Sequence, residues 1–336
     1  MPNAAITGWG HAVPDRVLTN ADLERMVETS DEWIVSRTGI RERRIVGPDD
    51  TTTSLASLAA IRALEKAGLE ADEIDLIVVA TATADDFLVS QACLVQASIG
   101  SSKAAAFDVG AACAGFVTAL NVGTQFINSG VYKKALVIGA DTLSRYVDFT
   151  DRGTCVLFGD GAGAVVLEAS TEQRGLLSAV MGADGSGSQH LFVPGAARFA
   201  PESADIFPDS QPHIRMNGQA VFKFAVNVMG DSSMQCISSA GMTLDDIDML
   251  IPHQANIRII EAAARKLDLP MEKVWVNLDR YGNTSAGSVP IALAEAADAG
   301  ALNEGDNIVL VAFGAGLAWA AGVVKWGVNG TDHASE

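Results

Sequence analysis

The chain has 336 residues, of which 49% are hydrophobic and 19% are charged. This composition is too apolar for a disordered chain, and the length exceeds what one small core needs, so we expect two similar-sized domains or one duplicated domain. The chain carries 41 acidic against 23 basic residues, a net charge of −18, which argues against nucleic acid as a partner.

The four cysteines are widely spaced, form no C-x-x-C pair and have no histidine at ligand spacing. This pattern indicates neither a disulfide framework nor a metal site, and it fits a reducing compartment. The N-terminus lacks the basic region of a signal peptide. One uncharged run, 308–324, contains three glycines and reads as a strand, a tight turn and a second strand, not as a membrane span. We therefore expect a cytoplasmic protein that binds neither metal nor membrane.

Short strand-like runs alternate with alanine-rich helical stretches in the first half of the chain, at 76–79, 94–99, 136–138 and 165–167. Such alternation predicts βαβ units and a mainly parallel sheet. The carboxyl ends of the strands are then the natural place for a site.

The segment 67–77 aligns without gaps with 240–250, an offset of 173. Each copy reads as a helix end, a turn and the start of a strand. The repeat predicts a duplicated α/β unit with an N-terminal half at 1–170 and a C-terminal half at 171–336.

Cys113 stands among small residues in Ala-Ala-Cys-Ala-Gly-Phe, after a strand-like segment and before a long helical stretch. A thiol at a helix N-terminus, near an imidazole, can have a lowered pKa and act as a nucleophile. The small neighbours would leave room for an acyl thioester. A cysteine among alanines is also a common core residue, so this motif alone does not decide the function.

His253, in Ile-Pro-His-Gln-Ala-Asn, and Asn283, in Tyr-Gly-Asn-Thr-Ser-Ala-Gly, each follow a strand-like run. Each is unremarkable alone, since most single histidines and turn asparagines have no catalytic role. In the repeat, however, the corners of Cys113 and Asn283 are near-equivalents, which predicts that they meet around a pseudo-twofold axis. The order Cys, His, Asn indicates acyl transfer through a thiol, and no G-x-S-x-G, H-E-x-x-H or P-loop competes with it.

Four further motifs accompany these: the segment at 30–43 with Trp33 and Arg37, Asp-Arg-Gly-Thr at 151–154, Phe-Gly-Asp-Gly-Ala-Gly-Ala at 158–164 and Phe-Gly-Ala-Gly at 313–316. With them the chain resembles the β-ketoacyl-acyl-carrier-protein synthase III family of the thiolase superfamily, from about residue 3 to about residue 327. The resemblance implies an α/β fold, a duplicated thiolase-like fold layered α-β-α-β-α, with two mixed, mainly parallel sheets.

The resemblance also implies a decarboxylative Claisen condensation that initiates fatty-acid synthesis. Cys113 would take an acyl group from acyl-CoA, and malonyl-acyl-carrier protein would lose CO₂ and attack the acyl-cysteine. His253 and Asn283 would donate hydrogen bonds to the malonyl thioester carbonyl. The backbone N–H groups of Cys113 and Ala315 would form the oxyanion hole. No metal or other cofactor is implied, since the CoA thioester is a substrate.

Two binding regions follow from the same resemblance. A Trp and an Arg would enclose the adenine of CoA, and a second Arg would meet phosphate. An acidic carrier protein would need a local basic patch on this acidic chain. The residues implied for CoA binding are Trp33, Arg37, Arg152 and Asn256. Those for carrier-protein docking are Lys223, Arg258, Arg265 and Lys266.

The sequence departs from the family at Leu88-Val89, where members commonly have Phe-Pro. This segment would cross the interface of a homodimer and form the floor of the partner's acyl pocket, so the starter acyl group stays open.

Two alternative functions also stay open. One is a ketosynthase III-like acyltransferase or condensing enzyme of secondary metabolism that uses another acceptor. The other is a non-catalytic subunit that binds carrier protein, which would be expected to lack Cys113.

Overall fold

The strands and helices fall into two groups, one in each half of the chain. The structure is a computed structural model that describes residues 3–194 and 212–327. The strands within these residues are β1 (Asn3–Ala12), β2 (Val17–Thr19), β3 (Glu42–Arg44), β4 (Leu76–Ala80), β5 (Ala105–Val109), β6 (Lys134–Thr142), β7 (Asp160–Ser170), β8 (Gly175–Ala183), β9 (Leu191–Phe192), β10 (Arg215–Met216), β11 (Met249–Pro252), β12 (Asn307–Gly314) and β13 (Ala318–Lys325). The helices are α1 (Asn20–Glu24), α2 (Asp31–Thr38), α3 (Thr52–Ala67), α4 (Gln91–Ser98), α5 (Gly115–Asn128), α6 (Arg152–Cys155), α7 (Gly218–Ser239), α8 (Ile257–Lys266), α9 (Leu278–Tyr281) and α10 (Ser288–Asp298).

Two sheets form the frame of the molecule, with strand orders β1-β7-β6-β4-β5 and β11-β12-β13-β8. Among the described strands, only β7 runs against the others in the first sheet and only β13 does so in the second. The predicted mixed, mainly parallel sheets are therefore confirmed. All strands of the first sheet lie before residue 171 and all strands of the second lie after it, so we propose 1–170 and 171–336 as the two halves.

The helices form three layers around these sheets. Helices α5 and α10 lie between the two sheets and share one apolar core with both. Helices α3 and α4 cover the outer face of the first sheet, whereas α7 and α8 cover that of the second. The α-β-α-β-α layering is confirmed.

The repeat is visible as equivalent pieces of backbone. Helix α3 ends at Gly68, which has φ 68°, and a 3₁₀ turn at Ala71–Glu73 leads into β4. At an offset of 173, Gly241 has φ 73° and a 3₁₀ turn at Leu244–Asp246 leads into β11. Positive φ suits glycine because it has no Cβ to clash. The predicted helix end, turn and strand are confirmed in both copies.

The uncharged run 308–324 forms β12, a turn and β13, which pair in antiparallel fashion as predicted. In residues 3–194 and 212–327, no helix combines the length and apolar character that a membrane crossing requires.

One predicted strand is wrong, because residues 94–98 belong to helix α4 and Ile99 is its C-cap. The Ser90 hydroxyl accepts from the amide of Cys93 at 3.3 Å, which caps the helix. The Asp108 carboxylate accepts from the amides of Gln91 and Ala92 at 2.7 and 2.8 Å. A cap and an anion at the N-terminus stabilise a helix over a run whose side chains also suit a strand.

The two halves approach each other closely where β6 meets the turn after Asn283. A Cβ on Gly139 of β6 would lie 2.2 Å from the carbonyl oxygen of Ala286. Only a residue without a side chain permits this approach.

The variant Gly139→Ala should lower the free energy of unfolding by about 2–3 kcal/mol, because the backbone at Ala286 would have to move. Urea denaturation measures the loss. Gly185→Ala is the matched control, since a Cβ there meets nothing within 4 Å. Equal stability of the two variants would contradict this account of the contact.

Candidate active site

Cys113, His253 and Asn283 line one cavity of about 140 Å³, so the structure brings the three predicted residues together. The other walls are mainly apolar and include Phe222 and Phe313. Cys113 also borders a second cavity of about 240 Å³, whose walls include Leu143, Phe158, Leu191, Phe192, Ile214 and Ala315. The thiol therefore lies between two cavities, and only the first contains the histidine and the asparagine.

The nucleophile turn carries Cys113 from β5 to α5, as predicted. It is a 3₁₀ turn, Ala112–Ala114, and Ala112 has φ 46°. A left-handed conformation costs an L-residue roughly 1–2 kcal/mol. At an offset of 173, Ser285 has φ 51° in the turn that follows Asn283. The two corners are therefore equivalent in backbone conformation as well as in position, which confirms their predicted relation.

The predicted lowering of the thiol pKa is wrong for this structure. Burial raises the pKa of Cys113 to about 12, and the charge of Asp141 also raises it, whereas a hydrogen bond with Ser285 lowers it. The sulfur is protonated at neutral pH, so it must lose its proton as it attacks an acyl group.

Asp141 is a fully buried carboxylate beneath the nucleophile. Its oxygens accept hydrogen bonds from the Ala82 amide at 2.7 Å, the Thr83 hydroxyl at 2.9 Å and the Ala286 amide at 3.0 Å. Burial raises its pKa, and these bonds, with one from the Ser285 hydroxyl, act against the rise. Because the amides of Ala82 and Ala286 belong to different halves, Asp141 ties the turn after Asn283 to the first half.

His253 is held on three sides. Its amide donates to the Val311 carbonyl at 2.7 Å, its Nδ1 lies 2.6 Å from Ser288 Oγ, and its ring and that of Phe313 pack edge to face at a centroid distance of 5.4 Å. Burial lowers the pKa of the imidazole to about 3. The ring is therefore neutral, with one nitrogen that donates and one that accepts.

Asn283 has its side chain oriented by the backbone. Its Oδ1 accepts from the Ser285 amide at 2.9 Å. Its own amide donates to the Leu157 carbonyl at 2.8 Å, and its carbonyl accepts from the Gly159 amide at 3.0 Å. Since the backbone N–H requires an acceptor, the amide NH₂ of Asn283 is left as the donor toward the cavity.

Comparison with known proteins identifies this arrangement. Residues 107–185 match the family 3-oxoacyl-[acyl-carrier-protein (ACP)] synthase III, and residues 237–326 match its C-terminal part. Over 323 residues the chain is 53% identical to the β-ketoacyl-[acyl-carrier-protein] synthase III of Roseiflexus sp. (strain RS-1), which covers 96% of this chain and 98% of that protein. The chain belongs to the β-ketoacyl-acyl-carrier-protein synthase III family.

Two solved structures extend the comparison. The synthase III of Aquifex aeolicus VF5 has a TM-score of 0.90 at 46% identity and covers 96% of this chain and 100% of its own. The priming β-ketosynthase of the R1128 polyketide pathway has a TM-score of 0.89 at 34% identity, with 96% of each chain covered. The thiolase fold is shared, and the protein is an acyltransferase of the condensing type that initiates fatty-acid synthesis.

The residues implied for CoA binding in the synthase III family lie close to one another. The Arg152 guanidinium carbon lies 4.9 Å from the centre of the Trp33 ring, and that of Arg37 lies 5.6 Å from it. For a purine to fit between them, the Trp33 ring and the Arg152 guanidinium would have to be about 7 Å apart, since each stacking contact takes about 3.5 Å. Arg152 would therefore have to move before adenine could enter.

Asn256 lines the first cavity, but both of its polar atoms are used within the protein. Its Oδ1 accepts from the Arg258 amide at 2.9 Å and caps α8, and its Nδ2 donates to the Arg37 carbonyl at 3.0 Å. It joins the loop after His253 to helix α2.

The four basic residues implied for docking are exposed on α7 and α8. Lys266 pairs with Asp231 at 2.6 Å, and Arg265 lies 3.9 Å from Glu261. Lys223 and Arg258 have no ion pair with any described residue, which makes them the stronger candidates. They flank the cavity-lining residue Phe222, over which Arg258 lies at 5.4 Å.

Leu88 does not reach either cavity of its own chain. It is 97% exposed, and the neighbouring Phe87 is 96% exposed. The two side chains therefore form an apolar pair that is uncovered in a single chain.

Sequence reasoning missed Asp141, Ser285 and Ser288. Ser285 could have been found, because the repeat places it opposite Ala112, beside the nucleophile. For Asp141 the available signal was an acidic residue at the end of an apolar strand. Ser288 carried no signal of its own.

The rate at which iodoacetamide alkylates Cys113 should rise about tenfold per pH unit from about pH 7 to pH 10, because the thiolate fraction grows until pH reaches the thiol pKa. Peptide mapping by mass spectrometry separates Cys113 from the exposed Cys93. A plateau that begins below about pH 8 would show that the thiolate already exists at neutral pH.

Proposed function

We propose that this protein condenses an acyl-CoA starter with malonyl-acyl-carrier protein through an acyl-cysteine at Cys113. The observation that supports this proposal is the asymmetry of the site. A single thiol lies between two cavities, and only the first cavity has hydrogen-bond donors from His253 and Asn283. The second, apolar cavity suits an acyl chain, and the first suits the malonyl thioester.

In the first half-reaction the Cys113 sulfur attacks the thioester carbonyl. A C–S bond forms, the thiol proton goes to the departing CoA thiolate, and the amides of Cys113 and Ala315 hold the oxyanion. Ala315 borders the apolar cavity and is not among the residues with positive φ. The backbone at Gly314 lies so close that a Cβ there would be 2.6 Å from the Cys113 amide nitrogen.

In the second half-reaction the malonyl group loses CO₂, and the electron pair of the broken C–C bond forms an enolate. Hydrogen bonds from His253 and Asn283 stabilise the enolate oxygen, each worth about 3–4 kcal/mol when preorganised in a dry site. The enolate carbon then attacks the acyl-cysteine, a new C–C bond forms, and the thiolate leaves.

The two half-reactions should separate in variants. Cys113→Ser should give no acyl-enzyme, because a hydroxyl is a far weaker nucleophile than a thiolate. Asn283→Ala should acylate normally but decarboxylate about 100- to 1000-fold more slowly, since one oxyanion donor is lost. Intact-protein mass spectrometry after addition of acyl-CoA measures the first step, and CO₂ release from malonyl-carrier protein measures the second.

Cys93→Ser is the matched control for the first step, since it removes an exposed thiol away from the site. An acylated Cys113→Ser variant would remove Cys113 from the mechanism, and equal loss of both steps in Asn283→Ala would contradict the role of the amide. An acyl-enzyme that forms but does not react with malonyl-carrier protein would favour the alternative function, a ketosynthase III-like enzyme that uses another acceptor.

We infer that the protein is a homodimer in which Leu88 closes the acyl cavity of the partner. Strand β5 is an edge of the first sheet, and its residues are only half-buried in one chain. Exposed edges of this kind are usually covered. The homodimer also accounts for the exposed side chains of Phe87 and Leu88, because the second chain would bury them.

The variant Leu88→Phe should shorten the longest acyl-CoA that labels Cys113, because the larger ring would fill part of the cavity. A panel of acyl-CoAs of increasing length, read by mass spectrometry, measures the limit. Leu58→Phe is the control, since Leu58 is an exposed leucine on α3. An unchanged limit in Leu88→Phe would show that Leu88 does not form the floor.

We propose that carrier protein docks on the basic residues of α7 and α8. The double variant Lys223→Glu with Arg258→Glu should raise KM for malonyl-carrier protein about 10-fold, because like charges would face each other. KM for acyl-CoA should not change. The control is Lys133→Glu, an exposed lysine before the internal strand β6. An equal rise in both KM values would mean that the substitutions damage the cavity and not a docking surface.

In the proposed chemistry a thioester donates the acyl group and a thiolate is the leaving group, so no metal or redox cofactor is required. The cytoplasmic location stays a prediction.

A further inference from the structure

Ser288 is the first residue of α10, and its hydroxyl lies against the histidine of the site. Its Oγ is 2.6 Å from His253 Nδ1 and 3.4 Å from the Gln254 amide nitrogen. Ser288 and His253 are each 1% exposed, so water does not take part in this contact. Ser285, three residues earlier, hydrogen-bonds with Cys113 and Asp141 instead.

The direction of the hydrogen bond follows from the number of available partners. The Gln254 amide can only donate, so Ser288 Oγ accepts from it. The hydroxyl hydrogen then needs an acceptor, and among the described residues His253 Nδ1 is the only one bonded to it. If Nδ1 carried the proton, Ser288 would accept twice and its own hydrogen would be buried without a partner, which is costly.

We propose that Ser288 is a positioning residue that donates to His253 Nδ1, and thereby holds the proton of the neutral ring on Nε2 and turns that N–H toward the cavity. The catalytic consequence rests on the proposed function. An Nε2–H group can stabilise the enolate oxygen during decarboxylation, but it cannot accept the proton of Cys113. Ser288 therefore assigns His253 to the second half-reaction.

The other contacts of His253 described above do not choose its tautomer. The Val311 carbonyl fixes the backbone of His253, and Phe313 limits the tilt of the ring from one side. Neither contact involves a ring nitrogen, so neither selects a tautomer. The group bonded to one nitrogen of a neutral imidazole decides which nitrogen carries the proton.

Nuclear magnetic resonance of the resting enzyme tests the tautomer directly. With nitrogen-15-labelled histidine, long-range proton–nitrogen correlation distinguishes Nε2–H from Nδ1–H, and His253→Asn assigns the resonances by their loss. The wild type should show the Nε2–H tautomer, and in Ser288→Ala the Nδ1 resonance should move to that of a nitrogen without a hydrogen bond. An Nδ1–H tautomer in the wild type, or an unchanged Nδ1 resonance in Ser288→Ala, would overturn the proposal.

The half-reactions provide the second readout. Ser288→Ala should slow decarboxylation about 10- to 100-fold, less than the about 100- to 1000-fold typical of deleting a donor itself. It should leave acylation of Cys113 unchanged, and Ser288→Thr, which keeps the hydroxyl, should recover decarboxylation. Unchanged decarboxylation, or equal loss of both steps, would contradict the role of Ser288.

Ser233→Ala is the matched control. Ser233 is fully buried, and its hydroxyl donates to the Met229 carbonyl at 2.7 Å, within α7. It should alter neither the His253 resonances nor the half-reactions. The resonance measurement needs no substrate, so it tests Ser288 even if malonyl-carrier protein is not the acceptor, whereas failure of the wild type to decarboxylate would count against the proposed function alone.

Discussion

The site depends on close backbone packing at its two turns, the one that carries Cys113 and the one after Asn283. Glycines of neighbouring strands permit it, since a Cβ at Gly139 of β6 would meet the Ala286 carbonyl and one at Gly314 of β12 would meet the Cys113 amide. Asp141 then joins the turn after Asn283 to the first half, because it accepts from the amides of Ala286 and Ala82. The distance between thiol and amide donor is therefore set by the shared core and not by the residues that line the cavity.

Burial determines the electrostatic state of the site before substrate arrives. The thiol is protonated and the imidazole is neutral, each because water is excluded. Charge arises on an oxygen only when a thioester is attacked or loses CO₂, and the donors that receive it are already fixed by other hydrogen bonds. In such a site little reorganisation is needed during the reaction, which is the main way in which preorganised dipoles lower a barrier.

Much of the fold could be predicted because its signals are local. The repeat, the glycine turns and the strand–turn–strand at 308–324 each depend on residues close together in the chain. The position of the three catalytic residues followed from these elements. Helix α4 was mistaken for a strand because its cap from Asp108 comes from a neighbouring strand.

The chemistry within the site was less predictable, for a physical reason. The bond from Ala286 to Asp141 spans 145 positions, and the bond from Ser288 to His253 spans 35. No local pattern reports such contacts. The sign of the thiol pKa shift was wrong for the same reason, because the depth at which a group is buried depends on the packing of the entire chain. The contact between Trp33 and Arg152 likewise joins segments that are distant in sequence.

The equivalence of the two corners has a consequence for symmetry. Ala112 and Ser285 share a left-handed conformation at an offset of 173, so Cys113 and Ala286 occupy matching places. Two identical repeats would carry either two thiols or none at these places, and each cavity would be a copy of the other. In the fused chain one repeat keeps the thiol, while its counterpart offers only a backbone amide, which binds Asp141. A covalent reaction that must distinguish its donor from its acceptor needs that difference, and a perfectly symmetric pair could not provide it.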